Sequence, residues 1–574
     1  MNSVPNVRRD APKKNTFDLT HEKKLSTQFG RLTPVFCQEV VAGDKFTISQ
    51  ETFIRLAPML RPVMHLINVY THYFFVPFRL LWQNQFNKDD SWETFATGGR
   101  LGLTEPEFPT IKLNGTSNYF RYALFSPSSL ADYLGFPVSD PVRLLSDDTQ
   151  IELPRMPFSA YQLIYNEYYR DETLQPYGTD FSYAPMPPID IPLTGGEFTE
   201  LGKIYALMQL RNRNWEKDYF TTALPFTQRG KEVEISLGSL APLRSKLIDE
   251  GGDYTSNGNP RDFLVNNYGV VQVADSDVTA NSIYPPNIST PDAFRLSNTG
   301  GLTLTETSVN WSNAYADLSQ ATGITINTLR ESIVLQQFYE KMARGGSRYT
   351  EYLQTIFGTS PSDARLQRPE YIGGMKEPVV ISEVLQTSET DITPQGNMSG
   401  HGLTYGRTNT VSKEIQEPGF IIGIMSIMPK PSYFQGMPKQ YSRRNRFDFL
   451  IPQFAHLGEQ PVTNGELFYD FSSNNVNSET FGYQERYGEY RYIPSTIHGS
   501  FRKEGMFNWH LTRYFGNTPT LSSEFLEVDK ELNDLNRIFS VQGTENDPFW
   551  IQMLFKVHAK RPLPVYGEPG LTKI

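Results

Sequence analysis

Cysteine, long apolar runs and enzyme motifs are what this 574-residue sequence lacks. Cys37 is its only cysteine, which excludes an intramolecular disulfide and a zinc site built on cysteines, and favours synthesis in a cytosol. No run of about 18 apolar residues occurs, and the first 17 residues lack the apolar segment of a signal peptide. We therefore expect neither membrane insertion nor Sec-type export.

Motifs of the common enzyme classes are also missing. The eight histidines form no His-Glu-x-x-His pair, and the sequence has neither a phosphate loop ending in Gly-Lys-Ser/Thr nor a Gly-x-Ser-x-Gly elbow. The sequence therefore predicts no enzyme, no bound metal and no cofactor. His65 and His72 are expected to pack or to lie at interfaces rather than to bind a metal.

Aromatic residues, glycine and proline are plentiful. Tyr, Phe and Trp make up 13% of the chain, which suits large sheet faces and wide protein interfaces. The 42 glycines and 40 prolines are spread along the sequence, and no Gly/Ser-rich or Pro-rich spacer separates two cores. This distribution predicts a single domain with long insertions rather than several linked domains.

Period-two patterns indicate a mainly β fold. Phe46–Ser49 alternates apolar and polar residues, and Leu66–Val76 and Gly419–Met428 are β-branched and aromatic runs typical of buried strands. Phe549–Val557 places Ile551, Met553, Phe555 and Val557 on one face. We expect this late strand to lie in the same β-sandwich as the early ones.

Helical and loop insertions are predicted between the strands. Ser128–Gly135 has a serine cap and a terminal glycine, Pro157–Asp171 has aromatic residues at helical spacing, and Ile324–Met342 has an apolar face expected to pack over a sheet edge. Residues 237–305 are rich in Asn, Ser, Asp, Gly and Pro with little periodicity, which predicts a long surface loop.

The first 24 residues form a basic segment in a chain of net charge −10. They contain Arg8, Arg9, Lys13, Lys14, Lys23 and Lys24 against Asp10, Asp18 and Glu22. Their composition predicts an arm without packed structure, which is either a solvated tail or a contact for nucleic-acid phosphate. Residues 25–574 are then the single domain.

Two further segments mix basic and aromatic residues. Lys439–Phe447 contains Arg443, Arg444 and Arg446, and Arg211–Lys217 surrounds Trp215. Phosphate contact combined with base stacking needs this mixture. Arginine and aromatic residues also dominate protein interfaces, so salt bridges between subunits are the alternative for both segments.

Several sequence blocks resemble one protein family. The block Arg213–Thr221, followed by Ala223-Leu224-Pro225, is similar to a block of the major capsid proteins of gokushovirus-like Microviridae. Further blocks in the order of that family are Asn15–His21, Phe74–Pro77, Ala131–Gly135, Tyr165–Glu167, Ala343–Glu351, Asp363–Tyr371 and Phe481–Tyr487. The resemblance therefore extends over nearly the whole chain.

The resemblance implies a fold and a function. The fold would be an eight-stranded antiparallel jelly roll of the viral capsid type, with long helical and loop insertions. The chain would be made in the host cytoplasm and would self-assemble into a small T=1 icosahedral shell that encloses circular single-stranded DNA. Further partners would be a small basic DNA-binding protein, a scaffolding protein and a receptor on the host cell surface.

Candidate residues follow for the two kinds of contact. The DNA-contact candidates are Arg8, Arg9, Lys13, Lys14, Arg443, Arg444 and Arg446, and the candidates on a surface projection for the receptor are Gly251, Asn257, Asn267 and Ser282. The alternative functions are a glycan-binding β-sandwich such as a lectin, and an enzyme on a β scaffold. A lectin would be expected to be a compact exported domain, and an enzyme to show a recognisable motif.

Overall fold

The fold was analysed in a computed structural model of the chain. It describes residues 13–83, 89–99, 101, 103–113, 124–138, 151–176, 204–231, 233, 243–245, 262–265, 271–273, 314–316, 326–345, 349–358, 360, 362–385, 387, 398–407, 409–472, 474–528, 535–540 and 547–566. Residues 230–339 form one compact unit, and the rest of the chain forms another.

Strands dominate the described residues. In chain order they are β1 (Asn15–Asp18), β2 (His21–Thr27), β3 (Thr33–Val40), β4 (Lys45–Leu56), β5 (Ile67–Pro77), β6 (Thr110–Leu113), β7 (Ile151–Pro154), β8 (Leu243–Ser245), β9 (Asp262–Val265), β10 (Val271–Val273), β11 (Ala314–Ala316), β12 (Glu370–Pro378), β13 (Val380–Leu385), β14 (Met398–Arg407), β15 (Val411–Glu414), β16 (Gly419–Pro429), β17 (Ser432–Tyr433), β18 (Glu459–Thr463), β19 (Thr480–Glu485), β20 (Ser495–Thr496) and β21 (Phe549–Arg561). The prediction of a mainly β chain is confirmed.

Helices are short, with one exception. They are α1 (Phe78–Leu81), α2 (Trp92–Thr97), α3 (Leu130–Leu134), α4 (Met156–Ile164), α5 (Ile326–Gly345), α6 (Tyr349–Phe357), α7 (Asn464–Leu467), α8 (Asn474–Ser478) and α9 (Ser523–Leu526). A π-helical turn over Tyr165–Tyr169 continues α4. The predicted caps of α3 are confirmed, because the Ser129 side chain accepts from the Asp132 N–H and Gly135 ends the helix in a left-handed conformation. No helix in the described part of the chain has the length and apolar character to cross a membrane.

Two antiparallel sheets share the main core. The larger sheet has the order β1–β21–β4–β14–β13, with β2 also on β21 and β15 also on β4. The smaller sheet has the order β12–β5–β16–β3. Side chains from both sheets pack together between them. The centre of the Phe36 ring, on β3 of the smaller sheet, lies 5.4 Å from the ring centre of Phe555 on β21 of the larger sheet, and 6.2 Å from that of Tyr73 on β5. The expected place of the final strand, beside the early ones, is confirmed.

The two sheets differ in what covers their outer faces. The central strands of the smaller sheet, β5 and β16, are buried on both faces, because Phe74, Val76 and Ile422 pack against α4 and its neighbours in a second apolar cluster. Almost every side chain of β5 and β16 is accordingly buried. The edge strand β12 is partly exposed. The larger sheet is buried on one face only, and β21 accordingly alternates buried and exposed side chains along its length.

Three expectations differ from the structure. The basic arm was predicted without packed structure as far as Lys24, which is wrong for its second half, because β1 and β2 pair with β21. Residues 237–305 were expected to have little regular structure, yet β8, β9 and β10 lie within them and form a four-stranded sheet with β11. Leu329 and Ile333 of α5, which belong to the apolar face that was expected to be covered, are exposed.

Candidate assembly and nucleic-acid surfaces

The basic residues that lead into β1 lie at the edge of the larger sheet. Lys13 and Lys14 are exposed, and Asn15, which follows them, donates from Nδ2 to the carbonyl of Leu563 at 2.8 Å. Arg8 and Arg9 lie outside the described residues. The pairing of β1 with β21 therefore fixes where this basic segment leaves the sandwich.

The loop over residues 439–451 is held in one conformation by its own polar groups. The Asp448 carboxylate accepts from the backbone N–H groups of Arg444 and Asn445, each at 2.8 Å, and these bonds hold the pKa of Asp448 below its usual value. Arg443 donates to Glu489 at 2.9 Å, and its guanidinium lies 4.5 Å from the centre of the Tyr490 ring. Only 10% of the Arg443 side chain is exposed, so this residue orders the loop.

Arg444 and Arg446 face solvent on the same loop. Arg444 donates from Nη1 to the carbonyls of Tyr441 and Arg443, and the Arg446 guanidinium lies 4.5 Å above the Phe447 ring. Within the described part of the chain no carboxylate is within ion-pair distance of either guanidinium. The loop thus presents two cations among exposed aromatic side chains.

The second basic and aromatic segment points inward. Arg211 donates from Nε to Gln162 at 2.9 Å, and Arg213 donates to Ser426 at 2.8 Å while lying 4.1 Å above the Tyr70 ring. Trp215 is buried in the main core. These side chains therefore make their contacts within their own chain. Neither hypothesis for the segment, contact with nucleic acid or salt bridges between subunits, included such contacts.

Arg513 completes this inward cluster and was missed by the sequence reasoning. Its guanidinium lies 5.0 Å from the Trp215 ring and 4.1 Å from the Phe525 ring. It donates to the Phe525 carbonyl at 2.7 Å and to the Tyr433 hydroxyl, which in turn donates to Asp218. Aromatic faces and hydrogen bonds thus compensate a buried cation. No local pattern around Arg513 predicts this cluster, since Trp215, Asp218 and Tyr433 lie far away in sequence.

A second buried charged residue, Asp547, connects segments from the N-terminal and C-terminal parts of the chain. Asp547 accepts from Arg31 at 3.2 Å, from the Ser26 hydroxyl at 2.8 Å and from the Ser128 hydroxyl at 2.7 Å. Both charged side chains are almost completely buried. The carboxylate therefore ties β2, the turn before β3, the start of α3 and the entry to β21 together.

The two histidines pack as predicted. The Nε2 atom of His65 lies 2.7 Å from the Lys430 carbonyl, and Nδ1 of His72 lies 2.7 Å from the Tyr169 hydroxyl. Burial lowers the pKa of each to about 4, so both are neutral at physiological pH. Within the described ranges, no three potential metal ligands come together.

The candidates for a surface projection cannot be placed in this geometry. Gly251, Asn257, Asn267 and Ser282 lie outside the described residues. The described strands nearest to them in sequence, β8, β9 and β10, belong to the unit formed by residues 230–339.

Comparison with known proteins assigns the chain to a family. The family model described as capsid protein (F protein) matches residues 5–571. The capsid protein VP1 of Chlamydia phage 1 is 36% identical, over 98% of this chain and 96% of the relative. The capsid protein VP1 of Bdellovibrio phage phiMH2K is 32% identical over 99% and 96%, and that of Spiroplasma virus 4 is 29% identical over 97% and 95%.

These relatives confirm the resemblance to the Microviridae and the prediction that the chain is a structural protein of a virion rather than an enzyme. The chain belongs to the capsid protein (F protein) family and is a major structural subunit of a Microviridae phage capsid.

Proposed function

We propose that the chain self-assembles into a small T=1 icosahedral shell that encloses circular single-stranded DNA. The observation that carries the proposal is the match to the capsid proteins of three phages over at least 95% of the length of each. A small basic DNA-binding protein, a scaffolding protein and a receptor on the host cell surface belong to the same proposal.

The strand order supports an eight-stranded jelly roll as the shell-forming fold. Four strands of the larger sheet have the order β2–β21–β4–β14, and the smaller sheet has the order β3–β16–β5–β12. Successive strands β2, β3, β4 and β5 thus alternate between the two sheets, and each sheet combines early and late strands. Two interlocked four-stranded sheets with this long-range pairing are expected of a jelly roll.

Assembly of the purified chain tests the proposed function. Subunits of a closed shell should bury several thousand Å² against their neighbours, which is the range of obligate interfaces. Light scattering and sedimentation across a concentration series should therefore detect capsomers or shells, and electron micrographs should show particles of uniform size. A chain that stays monomeric at every concentration, also with a scaffolding partner from the same phage, would contradict the proposal.

The basic arm is proposed to contact packaged DNA without reading its sequence. Replacing Arg8, Arg9, Lys13 and Lys14 by glutamine should lower the slope of log affinity against log salt by about three, since each phosphate contact to a single strand contributes about 0.7. The measurement is a salt titration of binding to single-stranded DNA. Lys503→Gln, at an exposed position outside both sheets, is the control for charge. An unchanged slope in the fourfold variant would refute the arm contact.

The solvent-facing arginines of the 439–451 loop are the second proposed contact. Among the described residues, no carboxylate lies within ion-pair distance of the Arg444 or Arg446 guanidinium. Exposed aromatic rings lie beside both groups, so the loop offers contacts for phosphate and for bases. Arg443 is left out of this contact because Glu489 already engages its guanidinium.

A further inference from the structure

The outer face of the larger sheet has a composition that an ordinary solvated face would not need. Strand register brings three rings together on it: Phe53 of β4 lies opposite Tyr405 of β14, and Trp550 of β21 lies opposite Arg55. Tyr405 is 67% exposed and Trp550 is 48% exposed, while Phe53 is half-buried beneath the Arg55 guanidinium, 5.3 Å from its centre. Neighbouring strands are about 4.8 Å apart, so the rings belong to one surface.

Cations outnumber carboxylates on this face, and Arg55 and Arg407 are the arginines nearest the rings. The outward positions of the sheet carry Lys24, Lys45, Arg55, Arg407, Lys556 and Lys560 against Asp18, Glu22, Glu51 and Glu414, as the registers of β1, β2, β4, β14, β15 and β21 place them. The chain as a whole has a net charge of −10, so the net charge of this face is opposite in sign to that of the whole chain. It is an electropositive face on an acidic subunit.

The arginines nearest the rings are available to a ligand. Among the described residues, no carboxylate lies within ion-pair distance of Arg55. Arg407 lies 3.8 Å from Glu51, whose carboxylate is more closely engaged by Lys556 at 2.5 Å. Such exposed ion pairs contribute little to the free energy of folding, so a phosphate group can replace the Glu51 carboxylate beside Arg407.

We propose that this face, defined by Phe53, Arg55, Tyr405, Arg407 and Trp550, binds single-stranded DNA by stacking bases on the Tyr405 and Trp550 rings. Arg55 and Arg407 then contact the phosphates between the stacked bases. The inference rests on the proposed packaging of single-stranded DNA and adds a stacking site to it. Exposed aromatic side chains on a sheet, interleaved with cations, are the arrangement that accepts unpaired bases without regard to sequence.

Continuity with the basic arm supports DNA over a second copy of this chain. Lys13 and Lys14 lead directly into β1, which is hydrogen-bonded to β21 in the same sheet as Trp550. A strand of DNA held by the arm would thus reach this face without crossing the sandwich. Gln552 lies opposite Phe53, and Arg55 lies opposite Trp550. Polar side chains among the rings suit a wet polyanion better than a dry protein interface.

The test uses the purified full-length chain below the concentration at which light scattering detects assembly, with a labelled oligothymidylate of about 12 nucleotides as the probe. Tyr405→Leu and Trp550→Leu keep apolar bulk but remove the ring. Each should weaken binding about 5- to 150-fold, which corresponds to the usual contribution of one stacked base. Binding of the parent chain should also quench tryptophan fluorescence, and Trp550→Leu should remove most of this quenching.

Tyr492→Leu is the matched control. Tyr492 is 52% exposed and lies outside the sheet, so its replacement should leave the affinity for the probe unchanged. All variants should keep the thermal midpoint of the parent, because the changed side chains are outside the core.

Two results would overturn the inference: an affinity unchanged in both sheet variants, or an equal loss in the Tyr492 control. If both sheet variants bind the probe normally but no longer form particles, the face is assigned instead to a contact with a second copy of the chain. Failure of the proposed function is distinct from these, because the parent chain itself would then form no particles in electron micrographs.

Discussion

Replacing Asp547 by alanine is expected to lower the free energy of unfolding by about 3–5 kcal/mol. The substitution removes the only described carboxylate that is paired with Arg31, and it also removes the acceptor of two hydroxyl groups, those of Ser26 and Ser128. A cation left unpaired in a buried site costs far more than an exposed pair contributes. Urea denaturation of the unassembled chain measures the effect.

Two controls separate charge burial from general damage. Glu22→Ala breaks the exposed ion pair with Lys24 and should cost no more than about 1 kcal/mol. The double variant Arg31→Met with Asp547→Leu removes both charges and should recover much of the stability lost in Asp547→Ala. If Asp547→Ala behaved like Glu22→Ala, the proposed tie between β2, α3 and β21 would be wrong.

Removing residues 251–282 is expected to leave shell assembly intact and to reduce attachment to host cells by at least an order of magnitude. The deletion takes out β9 and β10, but it retains β8 and β11, which are hydrogen-bonded to each other. Residues 230–339 form a compact unit of their own, and a shorter connection changes the closure entropy by only about 1 kcal/mol or less. Micrographs of purified particles and adsorption to the host bacterium are the two measurements.

Residues 237–305 are proposed to form an outward projection, with Gly251, Asn257, Asn267 and Ser282 as candidates for contact with the receptor. The deletion removes these residues, so attachment should be lost while assembly is kept. A segment that knits neighbouring subunits together would give the opposite result, because the deletion would then prevent particles from forming. As a control for shortening itself, residues 251–282 can be replaced by a Gly/Ser chain of equal length. That variant should assemble and should attach as poorly as the deletion.

The strands of the sandwich were predictable because each has a local pattern. β5 and β16 are covered on both faces and are mostly apolar or aromatic runs, and β21 alternates because one of its faces is exposed. β1 and β2 were not predicted, because few of their side chains face the core and most of their outward side chains are polar or charged. The composition of this segment therefore resembles that of an unpacked tail. Their place was decided by hydrogen bonds to β21, more than 500 residues away in sequence.

The surfaces were less predictable than the strands. The sequence marked Arg443, Arg444 and Arg446 as equivalent, and the structure separates them because Glu489 lies beside only the first. It could not mark Phe53, Tyr405 and Trp550, since nothing in three distant segments reveals that they share one face of a sheet. Only the register of β4, β14 and β21 brings them together.

The position of β21 between β4 and the two N-terminal strands also has a consequence during translation. β21 is made about 500 residues after β4, which at 5–20 residues per second leaves the edge of β4 without its main partner for about 25–100 s. For that time the nascent chain carries an incomplete larger sheet and is exposed to pairing with other chains. On a polysome that carries several such chains, the open edge of β4 can pair with a strand of a neighbouring chain. A host chaperone that covers open strand edges during translation should therefore raise the yield of subunits more than one that acts after the chain leaves the ribosome.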